Sequence, residues 1–298
     1  MRKAKDSRSA HIKTPAVGKG DDFPANSGTL QRAGAGENFV KFVLGKTMLV
    51  ALRDGYADMP VTRLRKPDGQ PFGSDVPPSI PQVDGQLRLS VNAFLIMDGE
   101  SHILIDTGAA NSWEPTTGRL LRSMQEAGVD PGLVDTVALT HTHEDHANGL
   151  VAAGGSDAFP NLKKLFVPSQ GVPLFDKIER LARFRRMRIA IDDGFRIGRS
   201  VVAVSASGHE AGHTAYEVQD GGRTVLVWGD TVHVPAAQFD RPELTWEFDA
   251  DPNEARASRL RLLQRSLRPG YFIAGAHLDF PGIGSVTRRT GGYQFNPA

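Results

Sequence analysis

Four short apolar runs in this chain each end on a side chain that can bind a metal ion. VALT precedes His141, AVSASG precedes His209, VLVWG precedes Asp230 and FIAGA precedes His277. Short apolar runs of this kind are typical of buried strands, and a strand end is a rigid support for the side chains that leave it. The arrangement therefore predicts sheets whose strand ends carry a polar site at one edge.

The segment HTHEDH, residues 141–146, concentrates four side chains that can bind a metal ion in one loop. His141 and His143 are two positions apart, so in an extended segment they point the same way. Asp145 and His146 follow in the turn and the start of the next helix, where they can face a second point nearby. One short loop could therefore serve two metal ions.

The type of metal is limited by the donors present. The chain contains no cysteine, which excludes disulfides, thiolate nucleophiles and cysteine-ligated zinc. Imidazole and carboxylate donors without thiolate suit zinc, manganese, iron or cobalt. The isolated histidines, among them His102 and His233, are interpreted as ordinary structural residues.

Strand-like segments occur in groups, with only a few helical segments between them. Helical spacing is found in RLLRSMQEAG, in the first part of LFDKIERLARFRRMRIAI and in NEARASRLRLLQRSL, while YFIAGAHLDF is predicted as the last strand. This grouping predicts two packed sheets covered by helices, an α/β (α+β) fold. Residues 1–36 are predicted to be a flexible arm, residues 37–298 one domain, and the segment from Pro60 to Pro81 a long irregular loop that serves as a candidate lid.

Charge and hydropathy argue against several classes of binding partner. The formal net charge is +1, which points to neither nucleic acid nor an anionic membrane as a partner. The basic N-terminus is not followed by the apolar segment of an export signal. We therefore expect a cytoplasmic protein that does not bind membranes, with a periplasmic location left open.

HTHEDH, the preceding DTG, and the later isolated His209, Asp230 and His277 together resemble the metallo-β-lactamase superfamily. The resemblance extends from about Asn38 to the end and implies an αββα four-layer sandwich with metals at one edge of the two sheets. Stretches such as SVNAFLI, AAQFDRP, FDADPNEA and YFIAGAHLDFPGIG look closer to the methyl parathion hydrolase branch.

The resemblance implies two metal sites, most readily occupied by zinc. The first would be held by His141, His143 and His209, the second by Asp145, His146 and His277, with Asp230 bridging both. Asp106, in LIDTG, would accept a hydrogen bond from a ligand. His213 is either a similar support or a structural histidine. Two departures stand out: Glu144 replaces a common proline, and GHEAGH replaces the common GHTPGH.

The function implied is hydrolysis by a hydroxide that bridges two divalent ions. Asp145 would orient the nucleophile or move a proton to the leaving group, and Asp230 would bridge the ions. The expected substrate is a small lactone, other ester or organophosphate triester, and a homodimer is the candidate assembly.

Two alternatives stay open: a member that acts on RNA, and a non-catalytic member that binds a ligand. The roles of Glu144 and of the N-terminal arm are also open. Five aromatic residues could line a substrate pocket, although the core is the favoured position for each: Trp113, Phe159, Phe175, Phe184 and Trp228.

Overall fold

The computed structural model describes residues 29–73, 75–99 and 101–298. Residues 1–28, most of the predicted arm, lie outside the described residues. The prediction is wrong for the end of the arm, because Gln31–Ala35 forms a strand that pairs with Phe39–Leu44. The polar composition of this segment does not reveal the backbone pairing. Because of this pairing, the folded part begins on the N-terminal side of the predicted boundary at residue 37.

The described part of the chain contains strands, short helices and one longer helix. The strands are β1 Gln31–Ala35, β2 Phe39–Leu44, β3 Thr47–Pro60, β4 Leu64–Arg65, β5 Gln86–Asp98, β6 Ser101–Ile105, β7 Thr136–Ala138, β8 Lys164–Pro168, β9 Arg188–Ile191, β10 Arg196–Ile197, β11 Val201–Ser205, β12 Thr214–Asp220, β13 Arg223–Val227, β14 Thr245–Trp246, β15 Tyr271–Ala274, β16 Ile283–Arg289 and β17 Gly292–Pro297. The α-helices are α1 Leu120–Glu126, α2 Glu144–Ala147, α3 Val172–Phe175, α4 Pro235–Gln238 and α5 Pro252–Ser266. Turns of 3₁₀ helix are formed by Val61–Arg63, Pro131–Leu133, Asn148–Leu150, Ser169–Gly171, Glu179–Phe184 and Gly229–Thr231.

Two large sheets form the centre of the fold. The first has the strand order β1-β2-β3-β5-β6-β7-β8-β9, and the second has the order β10-β11-β12-β13-β15-β16-β17. Strands β4 and β14 form a separate antiparallel pair. Apolar side chains from both large sheets, such as Phe42, Phe94 and Tyr216, meet in a buried core between them.

Helices cover the outer faces of both sheets. Leu120 and Met124 of α1 pack on the first sheet with Phe175 of α3, whereas Leu262 and Leu263 of α5 pack on the second. Helix α5 begins at Pro252 after Asp251, whose carboxylate accepts hydrogen bonds from two backbone N–H groups of its first turn. The layers are therefore helix, sheet, sheet and helix, which confirms the predicted sandwich.

Strand direction explains why the polar ends of the apolar runs meet. Strands β6 and β7 are parallel, so Asp106 and His141 leave the first sheet at the same edge. In the second sheet β11, β13 and β15 all run in one direction, because β12 is antiparallel to both β11 and β13, and β15 is parallel to β13. His209, Asp230 and His277 follow these three strands and emerge together.

The C-terminal part of the fold differs from the prediction. The segment YFIAGAHLDF was predicted to contain the last strand, but β15 ends at Ala274 and the hairpin of β16 and β17 follows it. These strands have exposed or half-buried polar residues at many positions, such as Ser285 and Thr287, so their apolar alternation is weak. Sheet pairing, rather than burial of a continuous apolar run, stabilises this edge.

The predicted loop from Pro60 to Pro81 is mostly irregular, but it is anchored. Strand β4 pairs with β14, and Leu64, Phe72 and Ile80 pack with Trp246 in a small apolar cluster. Among the described residues, no helix is both long and apolar enough to span a lipid bilayer.

Candidate metal centre

The first ligand group consists of His141, His143, His209 and Asp230. Nδ1 of His143 lies 3.0 Å from Nε2 of His141 and 3.0 Å from Nε2 of His209. Oδ2 of Asp230 lies 3.3 Å from Nε2 of His209 and 3.7 Å from Nε2 of His141. One donor atom from each side chain lies within 4.8 Å of the others, so the four side chains could hold one ion.

The second ligand group consists of Asp145, His146 and His277. Oδ2 of Asp145 lies 3.4 Å from Nε2 of His146 and 3.6 Å from Nε2 of His277. Asp230 also faces this group, with Oδ1 3.0 Å from Nε2 of His146 and Oδ2 3.1 Å from Nε2 of His277. The carboxylate of Asp230 therefore lies between the two groups.

Two buried polar atoms at this centre face each other without a well-formed hydrogen bond. Nε2 of His146 and Oδ1 of Asp230 lie 3.0 Å apart, and neither forms a hydrogen bond of normal geometry in the described part of the chain. An unsatisfied buried donor or acceptor costs about 1–3 kcal/mol, so such atoms need an explanation. Divalent cations fit this donor set, because imidazole nitrogens and carboxylate oxygens from several side chains are aimed at common points.

Hydrogen bonds behind the ligands fix their orientation. Asp106 accepts from Nδ1 of His146 at 2.9 Å and from the backbone N–H and hydroxyl of Thr140, both at 2.8 Å. His277 donates from Nδ1 to the carbonyl of Ser90 at 2.7 Å, which leaves Nε2 facing the centre. Such partners set the tautomer of a ligating histidine and the direction of its ring.

His213 forms hydrogen bonds with backbone groups near the centre, and not with the imidazole of a candidate ligand. Its Nδ1 donates to the carbonyl of Ala206 at 3.0 Å, and its Nε2 accepts from the backbone N–H of Asp230 at 3.3 Å. Burial lowers the pKa of His213 to about 3, consistent with a neutral ring that accepts at Nε2. Of the two readings of His213, this geometry favours a support for Asp230.

Two residues of the centre were missed by the sequence analysis. Asp249 accepts a hydrogen bond from Nδ1 of His209 at 2.9 Å. His233 lies with its Nε2 3.3 Å from Oδ2 of Asp230, and its ring stacks between those of Trp246 and His277. Nδ1 of His233 is buried and forms no hydrogen bond in the described structure, while Nε2 faces Asp230, so His233 lies at the candidate centre, whereas an ordinary structural position was expected.

The imidazoles of the centre differ in the direction of their pKa shifts, because their surroundings differ. Burial lowers the pKa of His143 to about 4 and that of His141 well below its usual value, which favours neutral rings that can bind a metal. Burial opposes ionisation of Asp230, but His146 and His277 hold the pKa of its carboxyl well below the usual range. Burial likewise opposes protonation of His209, yet hydrogen bonds to Asp230 and Asp249 raise its pKa to about 9, so a bound metal would displace a proton there.

A cavity of about 280 Å³ opens above both ligand groups. The candidate ligands on its surface are His143, Asp145, His209, Asp230 and His277. Its other walls are formed by Met59, Leu89, Trp113, Glu144, His233, Trp246 and Phe248. The lining is mainly apolar around a polar floor, which is typical of sites for small organic ligands.

Only one of the five aromatic candidates lines this cavity. Trp113 does so, whereas Phe159, Phe175 and Phe184 belong to the core outside the first sheet and Trp228 to the core outside the second. Trp246 and Phe248 were missed because they lie in a segment without strand or helix periodicity. Glu144 is exposed at the rim of the cavity as the first residue of α2, so the residue that replaces the common proline faces the site.

The chain was compared with known families, curated proteins and solved structures. Residues 87–154 match the model of the metallo-beta-lactamase superfamily. This match includes Asp106 and the whole HTHEDH segment. A comparison with curated proteins found no match.

Solved structures resemble the chain over most of its length. A hydrolase described as AbOPH in the beta lactamase superfamily is 28% identical with a TM-score of 0.78, covering 89% of this chain and 99% of that one. AidC, a dizinc quorum-quenching lactonase bound to its product, is 22% identical with a TM-score of 0.76, covering 88% and 97%. An N-acyl homoserine lactone hydrolase with N-hexanoyl-L-homoserine at its catalytic metal centre is 19% identical with a TM-score of 0.59, covering 79% and 94%.

These findings agree on the fold. Residues 87–154 are similar to the metallo-beta-lactamase superfamily, the chain is similar to a hydrolase described in that superfamily, and the described residues contain candidate metal-binding histidine and aspartate groups. The closer likeness to the methyl parathion hydrolase branch stays a prediction.

Proposed function

We propose that this chain is a metal-dependent hydrolase that cleaves a small lactone, another carboxylic ester or a phosphotriester. The observation that carries the proposal is the position of Asp230, whose two carboxylate oxygens face both ligand groups at the floor of an apolar cavity. A carboxylate shared by two groups of imidazole and carboxylate donors is suited to two divalent ions.

The first ligand group, His141, His143, His209 and Asp230, would hold one ion. The second group, Asp145, His146 and His277, would hold the other together with Asp230. The donor set suits zinc, and also manganese, iron or cobalt. When bound, the ions would activate water as a nucleophile and neutralise negative charge that develops on a substrate oxygen.

Asp145 is the candidate for proton movement. Its carboxylate lies on the surface of the cavity and within 3.6 Å of His277 Nε2 and 3.4 Å of His146 Nε2. From this position it can orient the attacking water and carry a proton to the leaving group. Asp230 would hold the two halves of the centre at a fixed separation.

The cavity walls would bind the apolar body of the substrate. Met59, Leu89 and Phe248 offer aliphatic and aromatic surface, and no lysine or arginine occurs in the described lining. A neutral ester with an apolar acyl or aryl group fits this lining better than a polyanion such as RNA. Lactones are the first class to test, because two of the solved structures with this fold are lactone-cleaving enzymes.

The proposal is tested by a substrate panel. Metal-free protein is reconstituted with zinc, manganese or cobalt and assayed against an acyl lactone, an aryl ester and a phosphotriester. We expect metal-dependent hydrolysis of at least one class, and at least a hundredfold loss in the Asp230→Asn variant. Asp240→Asn is the matched control, because Asp240 is exposed and does not line the cavity. Absence of turnover of all three classes by fully metal-loaded protein would favour the non-catalytic alternative.

A further inference from the structure

Glu210 is a buried carboxylate that the proposed reaction does not use. It follows the candidate ligand His209 directly, in the segment GHEAGH, and is only 4% exposed. One carboxylate oxygen accepts the backbone N–H of Thr142 at 2.9 Å, and the other accepts the hydroxyl of Thr142 at 2.7 Å. Burial raises the pKa of Glu210, so its position has an electrostatic cost that these two hydrogen bonds offset.

Thr142 is the residue between His141 and His143. The two hydrogen bonds therefore join the loop after β7 to the loop after β11, which belong to different sheets. The same two loops supply the three imidazoles whose nitrogens meet at 3.0 Å in the first ligand group. A shift of either loop would change these distances directly.

His143 depends on this connection more than its neighbours do. Its side chain is 40% exposed, whereas those of His141 and His209 are 0% and 3% exposed, so packing restricts His143 least. Its outer nitrogen, Nε2, lies 3.9 Å from the carboxylate of Glu210. Glu210 thus lies beside His143 as well as holding its chain neighbour.

We propose that Glu210 is a positioning residue for the first metal ion. By holding Thr142, it keeps the imidazoles of His141 and His143 at the distance from His209 that a shared ion requires. The inference rests on the proposed function, because it assumes that these histidines bind metal. Groups that orient metal ligands from behind typically change metal affinity by about 10–100-fold when they are removed.

The test uses substitutions that keep the volume of each partner. Glu210→Met removes both acceptor oxygens at nearly the same volume, whereas a Gln amide could still pair with Thr142, because a hydroxyl can accept as well as donate. Thr142→Val removes the hydroxyl donor, while Thr142→Ser keeps it. Glu179→Gln, at an exposed carboxylate paired with Arg185, is the control. The zinc affinity of each of the two sites is measured by competition with a chelator. The visible spectrum of the cobalt-loaded protein reports the geometry of the ligands.

We expect Glu210→Met and Thr142→Val each to weaken the binding of one of the two ions by about 10–100-fold. The affinity for the other ion should stay within about twofold of the wild-type value, and the cobalt spectrum should change. Thr142→Ser, which keeps the hydroxyl, should give wild-type values. The double variant should lose less than the sum of the two single losses, because both substitutions break one interaction.

Two outcomes would overturn the inference in different ways. If wild-type protein binds two ions and the variants bind both equally well with an unchanged cobalt spectrum, Glu210 only stabilises the fold. A lower thermal unfolding temperature of the metal-free variants would then be its whole effect. If wild-type protein binds no metal, the proposed function fails and this inference fails with it.

Discussion

Asp249 accepts a hydrogen bond from Nδ1 of His209 at 2.9 Å, although 40 positions of the chain separate the two residues. The second oxygen of the same carboxylate accepts the backbone N–H of Trp246 at 2.8 Å. Because the side chain of Trp246 lines the cavity, one carboxylate connects a candidate metal ligand with the wall that would contact the substrate.

Replacement of Asp249 by Asn should weaken metal binding by the first ligand group. An amide accepts one of the two hydrogen bonds but turns an NH₂ group toward the other donor, so the ring of His209 loses its fixed direction. The expected loss of zinc affinity is about 10–100-fold, measured by competition with a chromogenic chelator. Asp240→Asn should bind zinc like wild type, and equal affinity in both variants would show that Asp249 does not orient His209.

Truncation of Phe248 should affect substrate binding more than stability. This side chain lines the cavity, is 48% exposed and lies against the guanidinium of Arg63, so little core packing is lost in Phe248→Ala. We expect KM for apolar esters to rise several-fold, with kcat and the unfolding temperature nearly unchanged. Phe195→Ala, at a phenylalanine that is 39% exposed and outside the cavity, should leave KM unaltered. An unchanged KM in Phe248→Ala would mean that the substrate does not contact this wall.

Gly149 allows a close approach between the loop after α2 and the segment that carries Asp106. A Cβ atom at this position would lie 1.8 Å from the carbonyl oxygen of Thr107, so the backbone would have to move. Gly149→Ala should destabilise the protein by about 1–3 kcal/mol, as overpacking does, and disturb the centre as well. Gly154→Ala is the control, because no atom lies within 4 Å of its added Cβ. Urea denaturation of both variants measures the difference, and equal stability would contradict the described packing.

The ion pairs of Glu247 predict a pH-dependent contribution to stability. Glu247 accepts hydrogen bonds from Arg63 and from Arg65, and the bond from Arg63 is the main cause of a pKa below the ordinary value of 4.5. A lowered pKa in the folded state means that the stabilisation is complete above the unfolded pKa. It is lost as the pH falls through the folded pKa.

The thermal unfolding temperature of wild type should therefore exceed that of Glu247→Gln slightly at pH 7, and the difference should disappear below the folded pKa of Glu247. The difference is expected to be small because the carboxylate is about one-third exposed. Glu114→Gln, at a carboxylate without an ion pair in the described structure, is the control. A difference that stays constant from pH 7 to pH 3 would exclude this linkage.

Much of the fold was predictable because it depends on local patterns. Apolar runs such as those before His141 and Asp230 become buried strands, as the sequence predicts. His209, Asp230 and His277 converge because the strands before them run in the same direction. The only sign of this in the sequence is that each of these residues follows an apolar run.

The missed residues depend on tertiary contacts that no local pattern records. Trp246 ends the two-residue strand β14 and Asp249 follows it in a turn, and their roles arise because this segment folds back onto His209 and His233. Glu210 is recognisable only once the loops from two sheets lie side by side. The hairpin of β16 and β17 was missed because its strands are at an edge and carry many polar residues.

The most direct test of the account is the metal content of the purified protein. After saturation with zinc and removal of free metal by gel filtration, elemental analysis should find two ions per chain in wild type. It should find a clear loss of stoichiometric binding in Asp230→Asn, because both ligand groups share that carboxylate. Wild-type protein that retains no metal, or an Asp230→Asn variant that retains two ions as tightly as wild type, would contradict the two-ion centre on which the proposed function depends.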